Sequence, residues 1–284
     1  PLLTEAFGVR VSVGPPYFNP VGAIFAVPML LVMAVGPLLR WRQDSLGRIS
    51  REMALVAALI LAALVLVSIV GEVALLPLIG LSLAGGLAVA SLLPLRGRTL
   101  RRVPLATWGM VTAHLGIAVA LFGMASDSAF TSERLAALAP GQSAEAGPWS
   151  VTLDRVEPVA GPNWTALQAS LSASYKGGEP ITLAPQARSF WAPPQQTTES
   201  ALATRWNGQL YAVIGEEAGQ GRWQIRLWWK PFVTWIWFGG MLIALGGTLA
   251  LVGRVLADLK RRSVTRRAGV RRADARALAA EPAE

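Results

Sequence analysis

Five apolar stretches constrain this chain more than any other feature: Val21–Leu39, Ala54–Val70, Val73–Leu93, Thr107–Met124 and Val233–Val252. A helix rises about 1.5 Å per residue, so roughly 20 apolar residues cross a hydrocarbon core about 30 Å thick. Each stretch has that length, and none carries a charge inside it. With 53% hydrophobic residues, 15% charged residues and a mean hydropathy of +0.45, the chain is too apolar for an ordinary soluble domain. The same composition excludes disorder for most of its length. Only Gly71–Glu72 separates the second and third stretches, which therefore read as a tight helical hairpin. Pro77 stands near the start of the third, where a missing N–H matters least, while Pro28 is expected to kink the first.

Basic residues then orient the spans. They gather after the first stretch (Arg40, Arg42, Arg48, Arg51), after the third (Arg96, Arg98, Arg101, Arg102) and after the fifth, from Arg254 to Arg276. With five spans these three pieces share one side, which the positive-inside rule makes cytoplasmic. The outer segment Ala125–Lys230 is near neutral, with eight basic and nine acidic residues. The formal net charge of +9 is thus a topogenic signal and a contact for anionic lipid. It is not read as a nucleic-acid surface, because no aromatic residue interleaves with the arginines after Gly253. Trp41 and Trp108 fall at the inner interface and Trp228, Trp229, Trp235 and Trp237 at the outer end of the last span, as in an aromatic belt. The outer group could also be a docking surface.

The outer segment reads as all-β. Trp149–Val159 alternates around Val151, Leu153 and Val156, and Trp164–Tyr175 repeats the pattern before a Gly177–Gly178 turn. Pro180–Leu183, Ala187–Trp191, Ser200–Arg205, Gln209–Ile214 and Arg222–Trp228 are further short strands, and the regular spacing of turns predicts a small barrel or sandwich. The chain thus divides into an outer N-terminal segment (1–20), four transmembrane helices (21–124), a β-domain (125–230), a fifth transmembrane helix (231–253) and a basic tail (254–284).

Chemistry-bearing residues are few. There is no cysteine, which excludes disulfides, thiolate nucleophiles and iron–sulfur ligation. There is one histidine, His114, inside the fourth span, so a multi-histidine zinc site is excluded. An ionisable residue at that depth is a functional candidate by default. Burial favours the neutral imidazole, suited to ligating haem iron or another metal, to carrying a proton, or to packing against a neighbouring helix. Gly109, Ala113, Gly116, Ala120 and Gly123 form a small-residue face on the same helix, with His114 about 100° from Ala113 beside it. No GxSxG motif or paired carboxylates on one helix face support a hydrolase, and no inverted repeat of broken helices supports a transporter. The chain begins at Pro1 and not at Met, so the expectation is that its true start has been removed or that it is a piece of something longer.

Four patches together carry a family resemblance: VGPPYFN (Val13–Asn19); WGMVTAHLGIAV (Trp108–Val119); the set GPNW (Gly161–Trp164), PQARSF (Pro185–Phe190), TESAL (Thr198–Leu202) and QLYAVIG (Gln209–Gly215); and KPFVTWIWFGGMLIALGG (Lys230–Gly247). In this order they resemble the C-terminal half of the CcmF family, membrane haem-handling proteins of bacterial cytochrome c maturation. The resemblance implies an integral membrane α-helical bundle of five transmembrane helices with a periplasmic all-β domain, in the bacterial inner membrane. The N-terminus would be periplasmic and the C-terminus cytoplasmic. It implies part of a haem lyase that attaches haem to apocytochrome c, and matches His114 to an axial ligand of a transmembrane haem b. Its implied partners are the N-terminal half of the same protein or a second chain, a periplasmic haem chaperone and apocytochrome c-presenting subunits. The family's tryptophan-rich haem-receiving motif and its other histidines have no counterpart here, so the chain alone is expected to be an incomplete lyase. A non-catalytic membrane scaffold of a cytochrome assembly complex, or a transporter subunit, is the alternative.

Overall fold

The computed structural model describes residues 15–36, 46–70 and 73–279. Helix α1 is Pro15–Val35, α2 Leu46–Val70, α3 Leu75–Leu92, α4 Leu105–Phe130 and α5 Trp235–Ala279. Among the described residues three helical segments can cross a membrane by length and composition: Leu75–Leu95, Leu105–Phe130 and Trp235–Arg261. Helices α1 and α2 contain shorter apolar runs, Pro20–Met33 and Met53–Leu66. Pro20 and Pro28 both lie inside α1, which stays helical through them. Pro77 falls in the first turn of α3, where no intrahelical donor is lost. The Gly71–Glu72 hairpin and the Arg40, Arg42 and Trp41 positions lie outside the described residues. The loop between α3 and α4 is described, and Arg96, Arg98, Arg101 and Arg102 are all exposed on it.

Two helices run past the apolar runs that mark them. Helix α4 continues beyond Met124 to Phe130, and α5 continues through the basic tail to Ala279. From Arg254 to Ala279 there is no proline and only the single Gly269, so nothing stops a helix started in the span.

Between α4 and α5 lie ten strands: β1 Ser132–Leu138, β2 Ser143–Ala146, β3 Trp149–Ala160, β4 Trp164–Tyr175, β5 Ile181–Leu183, β6 Gln186–Trp191, β7 Pro194–Glu199, β8 Ala201–Arg205, β9 Gly208–Glu217 and β10 Trp223–Pro231. One sheet runs β1-β10-β9-β8, and the other runs β2-β3-β4-β6-β7 with β5 on β4. All their pairings are antiparallel. The two sheets close on one core, so the domain is a sandwich. That core gathers Trp149, Val151, Leu153, Leu171, Leu210, Ile214, Ile225 and Leu227 from both sheets. Period-2 alternation delivers these residues to one face. A register shift between Leu153 and Arg155 then lets Val156, three residues on from Leu153, turn back towards the core.

Strands β1 and β7 lack the alternation that marks the inner strands, and β2, which alternates, is too short to show it in the sequence. The sequence SERLAAL of β1 is mostly exposed, SAEA of β2 is four residues long, and PQQTTE of β7 is polar throughout. All three are the outermost strands of their sheets, and pairing with β10, β3 and β6 makes them strands. The outer tryptophans also part company. Trp228 and Trp229 belong to β10, with Trp229 buried in the sandwich core, whereas Trp235 and Trp237 begin α5.

The chain forms two compact units. One comprises Pro1–Leu59, Gly86–Ala118 and Gly239–Glu284; the other comprises Ile60–Gly85 and Val119–Phe238 and contains the sandwich.

Candidate functional site

In the first unit, α4 and α5 meet backbone to backbone. A β-carbon at Gly116 would fall 2.7 Å from the carbonyl oxygen of Gly239 and 2.7 Å from the nitrogen of Ile243. Gly109 is equally close to the main chain of Ala250, and Gly246 to that of Ala113. The small-residue face is therefore the helix–helix seam, and only glycine permits this approach.

His114 stands off that seam. At 3.6 residues per turn it lies roughly 140° around the helix from Gly109, next to the line of Val111 and Ala118. Those two are buried and His114 is half-buried. Its Nδ1 lies 2.9 Å from the backbone oxygen of Met110. A carbonyl can only accept, so Nδ1 carries the proton in this bond and Nε2 keeps its lone pair. That is the tautomer an iron or other metal ligand needs, with the ring oriented by its second nitrogen. The residues one turn away on the same face are Met110, Val111, Ile117 and Ala118, all apolar, so its own helix places no carboxylate beside the imidazole. The donor chemistry fits one axial position of a haem. A second imidazole cannot come from this chain, which has a single histidine. Among the described residues no cluster of three or more His, Cys, Asp or Glu could hold a metal ion.

In the second unit, three motifs that are separate in sequence converge on one face. The Arg188 guanidinium stacks 4.5 Å from the Trp164 ring and lies 3.4 Å from Glu199. Pairing of β4 with β6 and β6 with β7 brings them together. Beside them a groove of about 760 Å³ opens, floored by Leu167, Ile214 and Trp223 and edged by Arg188 and Thr198. Glu216 and Glu217 stand exposed at the end of β9 on the groove's rim, a solvated pair at a strand end and not in a loop. Sequence reading treated these motifs as separate marks, because nothing local signals that β4, β6 and β7 are neighbours.

The domain-level comparison is direct. Residues 129–231 match the family model described as the CcmF C-terminal beta-sandwich. Along most of its length the chain is similar to the C-terminal part of CcmF proteins. It is 34% identical over 256 residues to the cytochrome c-type biogenesis protein CcmF of Escherichia coli (strain K12), covering 88% of this chain and 40% of that protein. It is 35% identical over 295 residues to the cytochrome c-type biogenesis protein ccl1 of Rhodobacter capsulatus, covering 99% of this chain and 43% of that one. A solved structure, the cytochrome c heme lyase CcmF, superposes with a TM-score of 0.66 at 25% identity, over 84% of this chain and 40% of its own. The chain thus spans about two-fifths of the CcmF relatives it matches, and the likeness covers helices as well as the sandwich.

Proposed function

We propose that this chain is the C-terminal part of a cytochrome c maturation haem lyase and that His114 is an axial ligand of a transmembrane haem b. The observation that carries the reading is the Nδ1–H bond from His114 to Met110, which leaves Nε2 as a donor on an apolar face. It gains weight from the CcmF likeness along most of the chain. A haem bound there would supply a one-electron couple. The work of this chain's own residues is to hold the imidazole in one tautomer, orient it, and exclude competing ligands. A second ligand would come from the N-terminal half of the same protein or from a second chain, since this sequence has a single histidine.

The charge distribution supports a bacterial inner-membrane topology of five spans. The arginine loops and tail face the cytoplasm, and the N-terminus and sandwich face the periplasm. There the sandwich serves docking of the apocytochrome c-presenting subunits, near the haem chaperone, and the Arg188 groove is a surface open to it. The rival reading, a non-catalytic scaffold, draws on the same hydrogen bond, since a packing histidine also bonds to its own helix.

His114→Ala in the assembled complex separates the two. Alanine keeps the helix, so α4 should persist. Loss of an axial ligand should lower haem retention and convert a low-spin six-coordinate spectrum to weaker or high-spin bands, with partial recovery on adding imidazole. An unchanged b-haem spectrum, with a stability loss of only about 1–2 kcal/mol, would leave the scaffold reading standing.

A further inference from the structure

We infer that the end of the sandwich next to α4 and α5 is a binding surface for anionic phospholipid headgroups, built on Arg205, Lys176 and Trp206. This rests on the reading of α4 and α5 as membrane-embedded, but not on which side of the membrane the sandwich lies.

Chain connectivity places that end. Only Thr131 separates the apolar helix α4 from β1, and three residues separate β10 from α5. The β8–β9 turn, Trp206–Asn207, is then tied to the first turn of α5. The Trp206 oxygen accepts from Thr234 Oγ1 at 3.1 Å and from Trp235 Nε1 at 3.0 Å, and the Asn207 oxygen accepts from the Phe232 N–H at 2.9 Å. Trp235 is the first residue of a segment apolar enough to cross a bilayer. Trp206 therefore sits at the boundary between hydrocarbon and water. Its side chain is 70% exposed, and Trp237 on the helix is 74% exposed. An indole's apolar body and polar N–H suit that depth.

Two cations flank it. The Arg205 guanidinium lies 4.3 Å from the centroid of the Tyr175 ring and 5.4 Å from that of Trp149; Lys176 Nζ lies 5.7 Å from the Tyr175 centroid. Tyr175 is itself fixed, accepting from Asn207 Nδ2 at 2.8 Å. Both cations are exposed. Among the described residues neither forms an ion pair; along the chain the carboxylate nearest Lys176 is Glu179, which pairs with neither, and the one nearest Arg205 is Glu199, which is held by Arg188. The other cation at this end, Lys230, is satisfied by Asp127 at 3.4 Å. In a domain whose charges otherwise nearly cancel, two unpaired cations held on one ring at the bilayer boundary meet phosphate groups at short range, within the screening length of about 8–10 Å.

The test uses the full chain in nanodiscs of phosphatidylcholine, alone or with phosphatidylglycerol. With no native cysteine, single spin labels go on Trp206→Cys, Leu245→Cys and Glu217→Cys. The label at 206 should report phosphate depth, that at 245, ten residues into the apolar part of α5, hydrocarbon, and that at 217, at the far end of β9, water. A label at 206 in bulk water while 245 is in hydrocarbon overturns the inference and leaves the membrane reading intact; a label at 245 in water overturns both. Enrichment of phosphatidylglycerol around the protein should fall on the order of fivefold for each cation removed in Arg205→Gln and Lys176→Gln, and Arg205→Lys should keep it. Unchanged enrichment in the double variant, or equal loss in Arg205→Lys, would overturn the inference.

Discussion

Single methyl groups separate the glycines of α4 and α5 by role. At Gly116 a β-carbon meets main-chain atoms of Gly239 and Ile243, which cannot give way unless the helices part. At Gly240 a β-carbon meets nothing within 4 Å. Gly116→Ala should therefore cost about 1–3 kcal/mol of overpacking, partly masked by the helix propensity that alanine adds. Gly240→Ala receives that propensity alone and should be neutral or stabilising by up to about 1 kcal/mol. Thermal melts of the two variants in one detergent give the comparison, and equal shifts would mean the two glycines are not distinguished by packing. His114 was conspicuous in the sequence as the sole intramembrane ionisable group. Its bond to Met110 was not, because that depends on a rotamer and not on residue type.

Among the elements, the sandwich is the most self-sufficient. Its core draws on strands of both sheets, it has no cysteine, and its family match covers 129–231. A fragment of those residues should give a β-type circular dichroism spectrum that reductant leaves unchanged; a mainly helical spectrum would count against an autonomous domain. Within it, Leu210 is fully buried on β9. Leu210→Ala should lower stability by about 2–5 kcal/mol in denaturant titration, whereas Leu202→Ala on β8, 47% exposed, should lose far less. The inner strands were legible because alternation and burial coincide there. Of the edge strands β8 was legible too, whereas β1 and β7, with little to bury, and β2, only four residues long, owe their conformation to a partner's hydrogen bonds.

For the molecule as a whole, charge makes the strongest claim. Four exposed arginines in the loop between α3 and α4 and the basic stretch that continues α5 predict one compartment, and the neutral sandwich the other. Reporter fusions at Gly178, in a sandwich turn, and at Ala268, in the basic stretch, should report opposite compartments. The same compartment for both would defeat the five-span topology.

The sequence by itself determined the apolar helices, the charge asymmetry, the inner strands and His114 as the residue to watch. Each is a local property: a run, a count or a period of 2 or 3.6 that neighbours along the chain express without help. Tertiary structure decided what distant segments do together. It placed Gly116 against Gly239, put Trp229 in a core while Trp235 opened a helix, joined Trp164, Arg188 and Glu199 on one face, and set Arg205 and Lys176 on the ring of Tyr175. Such contacts follow from sheet order and helix approach, which depend on the packing of all elements at once and leave no periodic trace in any one of them.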